Sequence, residues 1–210
     1  MPNLINRDFI LNTLTSHNPV PEGISRYSAV LIPIFMTEDG PELLFSRRSM
    51  TLRHQPGDIC FPGGRREGRE NGLQTALRET EEEIGIPSEN IEVLGRTDFV
   101  VTTYAAIITP FVGIVKNMLP SDVIINPDEV EETFTIPLKY FMETEPQEHY
   151  VNIYYDIPDD FPFEHIVGGK NYTWKKVRQP ELFYYYKDYV IWGFTARIVN
   201  NLCYLLKSNL

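Results

Sequence analysis

Residues 64–86 read GRREGRENGLQTALRETEEEIGI, and this stretch decides the fold. Its second half combines good helix formers with apolar side chains at helical spacing, which predicts a helix from Asn71 to Ile84. Gly85 and Pro87 follow and end the helix. Ahead of it, the segment from Gly57 to Arg69 is rich in glycine and arginine and is predicted to be a loop.

The predicted helix carries carboxylates on one face. At about 100° per residue, Glu79, Glu82 and Glu83 fall within about 100° of one another, whereas Glu81 points away toward solvent. The adjoining face is apolar and is expected to pack on a sheet; it consists of Leu73, Ala76, Leu77, Thr80 and Ile84. One helix therefore provides both a packing surface and a group of three acids.

These acids repel one another, and they lie at the helix end where the dipole also disfavours negative charge. A hard divalent cation would offset the repulsion, because Mg²⁺ prefers oxygen ligands from one or two carboxylates and a substrate phosphate. A solvated acidic helix end is the alternative that the helix alone leaves open.

The spacing resembles the Nudix box, Gly-x5-Glu-x7-Arg-Glu-U-x-Glu-Glu-x-Gly-U, where U is a bulky aliphatic residue. The matching residues are Gly64, Glu70, Arg78, Glu79, Glu82, Glu83, Gly85 and Ile86. Thr80 replaces an aliphatic residue, but it lies on the apolar face and leaves the ligand positions in place. The resemblance implies an α/β/α sandwich with a mixed β-sheet between helices, and a metal-dependent enzyme that hydrolyses a nucleoside-diphosphate linkage.

The resemblance also implies a role for each matched residue. Glu79 and Glu83 would be the main ligands of Mg²⁺ or Mn²⁺, and Glu82 would be a further ligand or the base that orients water. These three glutamates form the expected catalytic set. The residues with an expected structural role are Arg78, Glu70 and Gly85.

The segment from Leu44 to Gly64 resembles the signature of the coenzyme A pyrophosphatase branch, Leu-Leu-Thr-x-Arg-Ser/Ala-x3-Arg-x3-Gly-x3-Phe-Pro-Gly-Gly. Phe45 and Ser46 depart from it, and the residues from Ile191 to Ile198 also look like the C-terminal helix of that branch. The matching residues are Arg48, Ser49, Arg53, Gly57, Phe61, Pro62, Gly63 and Gly64. The implied reaction converts coenzyme A or acyl-coenzyme A to 3′,5′-ADP and 4′-phosphopantetheine.

Coenzyme A carries a 3′-phosphate besides its diphosphate, so its binding site needs cationic donors beyond the metal. Arg48 and Arg53 suit this task because guanidinium pairs with phosphate through two hydrogen bonds. Gly63 and Gly64 would let the loop backbone approach substrate and metal. Pairing of both arginines with the surplus acids of the chain is the alternative.

Other candidates carry weaker signals. His54 is expected to be a surface residue rather than a proton-transfer group. The aromatic run from Phe183 to Tyr186 is expected to pack in a strand core, with a pocket for the substrate as the alternative. An extra carboxylate for the site is an open possibility among Glu129, Glu131 and Glu132, although a solvated loop is favoured.

The remaining sequence predicts strands interleaved with helices, hence an α/β layered domain with a mixed sheet. We expect one Nudix domain over residues 1–210, with residues 1–24 as a helical extension and the box at 64–86. Helices are predicted at 6–16, 137–143 and 191–206. Strands are predicted at 26–36, 42–47, 91–94, 96–102, 106–115, 132–137, 150–157 and 182–185.

Composition limits the classes of partner. The net charge of −10 disfavours nucleic acid and anionic membranes, and no apolar run is long enough for a spanning helix. Cys60 and Cys203 lack metal-ligand spacing and are expected to be buried or inert thiols, with a disulfide as the alternative. We therefore expect a cytoplasmic enzyme with coenzyme A as its small-molecule partner, and the sequence leaves a homodimer open.

Two rival functions remain. The enzyme could prefer ADP-ribose, NADH or another nucleoside diphosphate derivative, because Nudix enzymes share the box and differ in substrate. The chain could also be a non-catalytic nucleotide-sensing module. A broken box would be typical of the latter, and Glu79, Glu82 and Glu83 are all present.

Overall fold

The computed structural model describes residues 5–209. Its main sheet has eight strands: β1 (Arg26–Thr37), β2 (Gly40–Arg48), β3 (Ile59–Cys60), β4 (Gly63–Arg65), β5 (Ile91–Arg96), β6 (Val100–Val101), β7 (Ala106–Val115) and β8 (Val130–Pro137). Strands β1 and β7 are parallel neighbours at the centre, and the other pairs are antiparallel. The predicted mixed sheet is confirmed.

Helices cover both faces of this sheet. Alternate residues of β1 point to opposite sides, so Leu31 belongs to a core with helix α2 (Gly72–Ile84), and Ile32 belongs to a second core on the other face. That second core includes helices α3 (Leu138–Glu143) and α4 (Gly193–Lys207). The predicted layering, with a mixed sheet between helices, is confirmed.

Two predictions around the main sheet are corrected. The glycine-rich segment is not all loop, because β3 pairs with β2, and β4 pairs with β1. The predicted strand at 96–102 is split: β5 ends at Arg96, and only Val100 and Val101 form β6 beside β7. A register shift between Val93 and Gly95 bends β5 before this break.

A second, antiparallel sheet contains β9 (Gln147–Ile153), β10 (Val177–Tyr186) and β11 (Tyr189–Trp192). The strand predicted at 150–157 therefore starts and ends earlier, and the one at 182–185 starts earlier. The final helix begins at Gly193, whose φ of 62° turns the chain and leaves Ile191 and Trp192 in β11. In β10, Tyr184 is buried against Phe141, as the strand-core interpretation requires.

Helix α1 (Arg7–Ser16) is present as predicted, and the Asn6 side chain caps it by accepting the Phe9 N–H. None of its side chains is buried, so its apolar residues do not join either core. Within residues 5–209, no helix has both the length and the apolar character needed to cross a membrane. Cys60 and Cys203 are both free thiols.

Both ends of α2 follow local rules. Asn71 caps the start and forms a reciprocal pair with Gln74, since each side chain accepts the other residue's N–H. Gly85 ends the helix at φ 66°, and its N–H donates to the Glu81 carbonyl. A Cβ at this position would lie 2.8 Å from the Ile124 carbonyl oxygen, so both conformation and space require glycine.

We expect Gly85→Ala to lower the free energy of unfolding by about 1–3 kcal/mol, because it adds left-handed strain and a backbone clash. Gly68→Ala is the matched control, since Gly68 has a φ of 49° and open space where a Cβ would lie. Urea denaturation measures both variants. Equal losses of stability in the two variants would show that the contact with Ile124 is unimportant.

Candidate active site

Helix α2 presents its three acids at different depths. Glu83 is buried at 6% exposure, and its Oε2 accepts the Gly63 N–H at 3.1 Å. The Glu79 side chain is 15% exposed, whereas that of Glu82 is 55% exposed. Glu81 faces solvent, as predicted. Glu79 and Glu83 are therefore the acids held closest to the sheet.

Two glycines of β4 allow this close approach. Gly63 has a φ of 152°, and a Cβ there would collide with the backbone of β1 at Ala29 and Val30. A Cβ at Gly64 would collide with the Glu79 carboxylate. Pairing of β4 with β1 thus brings bare backbone against the acidic face of α2.

Arg78 connects the acids of the box. Its Nε donates to Glu70 Oε1 at 2.8 Å, Nη1 donates to Glu82 Oε2 at 2.8 Å, and Nη2 donates to Glu79 Oε1 at 2.9 Å. The Arg78 hydrogen bond is the main reason that the pKa of Glu70 falls to about 2. Arg78 therefore orients one carboxylate before the helix and two on its acidic face.

Burial and neighbouring carboxylates raise the pKa of Glu79 and of Glu83. Burial is the main cause that raises the pKa of Glu83 to about 8; the Gly63 N–H opposes the shift, while Glu79 and Glu129 add to it. Burial also raises the pKa of Glu79; Arg78 opposes this shift, and Glu82 and Glu129 add to it. Neutral forms are favoured because like charges share a poorly solvated space.

Glu129 is the extra carboxylate that the structure brings to this group. Backbone hydrogen bonds hold its loop in place, since Ser49 N–H donates to the Glu129 carbonyl and Asn126 N–H donates to the Glu83 carbonyl. Glu131 is exposed, and Glu132 forms an ion pair with Arg47 at 2.9 Å. The sequence marks all three acids equally, and only these tertiary bonds select Glu129.

The donor chemistry of this group fits a hard divalent cation. Carboxylate oxygens are suitable ligands, and a cation would relieve the repulsion that raises the pKa of Glu79 and Glu83. In the described range, however, no three His, Cys, Asp or Glu side chains already converge as a metal-binding set. Arg78 holds Glu82 and one oxygen of Glu79, so only part of the ligand set lies together.

A cavity of about 340 Å³ adjoins Gly63 and Gly64, between the α4 face of the main sheet and the start of α4. Arg48 lines it, and the buried Nε of Arg48 has no hydrogen-bond partner. Its positive charge slightly opposes the rise in the pKa of Glu83. Arg53 and His54 are exposed and are not part of the cavity wall.

The far wall of the cavity was not anticipated as part of the site. Tyr104, Glu181, Trp192 and Phe194 line it, and the Tyr104 and Phe194 rings meet edge to face at 5.9 Å. Trp192 and Phe194 lie in the 191–198 segment that resembles the coenzyme A pyrophosphatase branch, whereas Tyr104 and Glu181 come from a distant loop and strand that no local motif marks. Cys60 also lines the cavity, but burial raises the pKa of its thiol, which argues against a nucleophilic role.

We expect Arg78→Gln to raise the pKa of Glu70 from about 2 toward the usual 4.5, because the main hydrogen bond to the ionised carboxylate is lost. Carboxyl-carbon NMR titration measures this shift directly. Because the pKa of Glu70 is lower in the folded than in the unfolded state, ionised Glu70 stabilises the fold above pH 4.5. This stabilisation is lost as the pH falls through about 2. The stability deficit of the variant should therefore shrink over that range, and an unmoved Glu70 pKa would contradict the assignment.

Known proteins resemble this chain over most of its length. The NUDIX domain family matches residues 25–156. The Uncharacterized Nudix hydrolase NudL of Photorhabdus laumondii is 31% identical over 201 residues, which cover 93% of this chain and 94% of that protein. The Peroxisomal coenzyme A diphosphatase NUDT7 of Mus musculus is 37% identical over 123 residues, which cover 58% of this chain and half (50%) of that protein.

A solved structure shows the same fold. The MutT/nudix family protein from Enterococcus faecalis superposes with a TM-score of 0.53 at 13% identity, covering 98% of this chain and 71% of that one. At this identity the likeness concerns the fold alone. The family match over residues 25–156 and the near full-length similarity to NudL establish that this chain belongs to the Nudix hydrolase family.

Proposed function

We propose that this Nudix hydrolase cleaves the diphosphate linkage of coenzyme A and acyl-coenzyme A, giving 3′,5′-ADP together with 4′-phosphopantetheine or its acylated form. The observation that carries the proposal is the close approach of Glu83 to Gly63 and of Glu79 to Gly64, next to a cavity of about 340 Å³. Nudix hydrolases need divalent metal ions, and a diphosphate bound between cation and cavity would be held for attack by water.

Glu79 and Glu83 would hold Mg²⁺ or Mn²⁺, and Glu82 would be a further ligand or the base that orients the attacking water. A bound metal neutralises the diphosphate and lowers the pKa of a coordinated water. The chain's own contribution is to position the acids: Arg78 fixes Glu79 and Glu82, and the Gly63 N–H fixes Glu83. Because Glu82 is the most exposed of the three, it is the best placed to exchange a proton with solvent.

The coenzyme A assignment rests on the upstream signature and on the cavity. Arg48 lines the cavity beside Gly63 and Gly64, and we assign its guanidinium to the scissile diphosphate rather than to the 3′-phosphate that the sequence suggested. Arg53 is proposed as a second substrate contact, reached from the exposed loop that precedes β3. The similarity to a relative named as a coenzyme A diphosphatase supports this choice over ADP-ribose or NADH.

We expect Glu83→Gln to reduce Mg²⁺-dependent hydrolysis of coenzyme A by at least about 100-fold, because a ligand charge is lost where metal stabilisation is worth several kcal/mol. Glu81→Gln is the matched control on the same helix, since Glu81 faces solvent, and it should stay within about twofold of wild type. Release of 3′,5′-ADP is followed by chromatography, with ADP-ribose and NADH as parallel substrates.

The outcomes of this assay separate the proposals. Far better cleavage of ADP-ribose than of coenzyme A would overturn the substrate assignment and leave the family chemistry intact. Full activity of Glu83→Gln would overturn the ligand assignment. Turnover of none of the three diphosphates by wild type would favour a nucleotide-sensing module.

We expect Arg48→Gln to lower kcat/KM roughly 10- to 100-fold for coenzyme A and for dephospho-coenzyme A alike, because both share the diphosphate and a charge-assisted bond is lost. Arg53→Gln provides the comparison from the exposed loop and should have a smaller effect. Steady-state kinetics with both substrates measures this. A loss of kcat/KM for coenzyme A alone would instead assign Arg48 to the 3′-phosphate.

A further inference from the structure

A smaller cleft of about 250 Å³ opens beside the main cavity and shares part of its wall. Its polar residues are Arg26, Ser28, Arg65 and Tyr104, and all of these except Arg26 also line the main cavity. We propose that Arg26 and Arg65, with the hydroxyl groups of Ser28 and Tyr104, bind the 3′-phosphate of the substrate. This proposal rests on the proposed coenzyme A hydrolysis and assigns a specificity site within it.

Strand register places both arginines on one face of the sheet. Ser28 of β1 lies opposite Arg65 of β4, and paired residues point to the same side. Arg26 precedes Ser28 by two residues, so it shares that side as well. This is the face toward α4, since Val30, two residues further along β1, packs against the core of that side. Both cationic side chains therefore emerge at the cavity rather than beside α2.

Neither arginine of the cleft is paired with a carboxylate in the described part of the chain. Among the ion pairs within residues 5–209, Arg47 and Arg78 have carboxylate partners, whereas Arg26 and Arg65 have none. Both lie on adjacent strands and line the same cleft, so their positive charges face one space. Their mutual repulsion would be relieved by an anion bound between them.

The chemistry of the cleft matches a phosphomonoester. Guanidinium groups bind phosphate through paired hydrogen bonds, and serine and tyrosine hydroxyls add uncharged donors. Arg65 lies two residues after Gly63 in β4, about 6–7 Å along the strand, so this cleft is separate from the carboxylates that face the diphosphate. A substrate with one phosphate group apart from its diphosphate would use both sites, whereas ADP-ribose and NADH have no such group.

Arg66 is a control residue provided by the sequence itself. It follows Arg65, and its N–H donates to the Tyr27 carbonyl. Its guanidinium lies over the Tyr27 ring at 5.6 Å from the centroid, so it is a neighbouring cation outside the cleft. Replacement of Arg66 changes the net charge of the chain by the same amount without touching the proposed site.

Calorimetric titration with 3′,5′-ADP and with 5′-AMP, both in Mg²⁺ buffer, tests the inference without any turnover. We expect wild type and Arg66→Gln to bind 3′,5′-ADP at least about tenfold more tightly than 5′-AMP. Arg26→Gln and Arg65→Gln should each reduce that preference severalfold, and the double variant should abolish it, with the affinity for 5′-AMP unchanged. The substituted arginines are all exposed, so we expect the variants to stay folded, and circular dichroism checks this.

The inference is overturned if the double variant keeps the wild-type preference, or if wild type shows none. A matching kinetic assay compares coenzyme A with dephospho-coenzyme A, and the same variants should lose kcat/KM for coenzyme A only. If wild type binds 3′,5′-ADP through these arginines yet hydrolyses no coenzyme A, the proposed function fails and the phosphate site stands. If it hydrolyses coenzyme A and the double variant still discriminates, only the phosphate site fails.

Discussion

The contact between the backbone of Gly63 and the buried carboxylate of Glu83 is the constraint on which the rest of the structure depends. It joins β4, which is held in place by β1, to the last turn of α2. A Cβ at Gly63 would meet the backbone of β1, so this position requires glycine, and a Cβ at Gly64 would displace the Glu79 carboxylate. The tight glycine loop and the acidic helix are therefore one structural unit, although they lie about twenty residues apart in the chain.

This unit buries the carboxylate of Glu83, which destabilises the fold when the carboxylate is ionised. Burial raises the pKa of Glu83 to about 8, so an ionised Glu83 costs folding free energy in the absence of a cation. Arg78 balances part of the charge, but its three ion pairs go to Glu70, Glu79 and Glu82. Glu83 is left with a single backbone donor, and Glu129 adds further repulsion. An arrangement with this deficit of positive charge is understandable if the chain is selected to bind a metal rather than for stability alone.

The sequence was sufficient to predict the parts of the fold that local rules govern. The helix from Gly72 to Ile84 follows from its apolar period, its Asn71 cap and its Gly85 end, and the mixed sheet follows from the order of strands. Predictions failed where a tertiary contact outweighs a local preference. Ile191 and Trp192 fit a helical period, but pairing with β10 makes them a strand. Helix α1 has apolar residues at helical spacing in the sequence, yet none of its side chains is buried.

The candidate site likewise has one part that the sequence predicts and one part that only the tertiary structure reveals. The box residues form a local motif and could be named from spacing, whereas Glu129, Tyr104, Arg26 and Arg65 meet the site only through long-range contacts. The parallel pairing of β1 with β7 sets Arg26 beside Ala106, and the antiparallel pairing with β4 sets Ser28 beside Arg65. These registers depend on packing across the whole sheet, so no window of sequence contains them. Because every Nudix box offers similar carboxylates to a diphosphate, discrimination among substrates has to come from groups outside it. In this chain the cavity wall on the α4 face is where we propose that such groups lie, with Arg26 and Arg65 as the donors to a phosphate apart from the diphosphate.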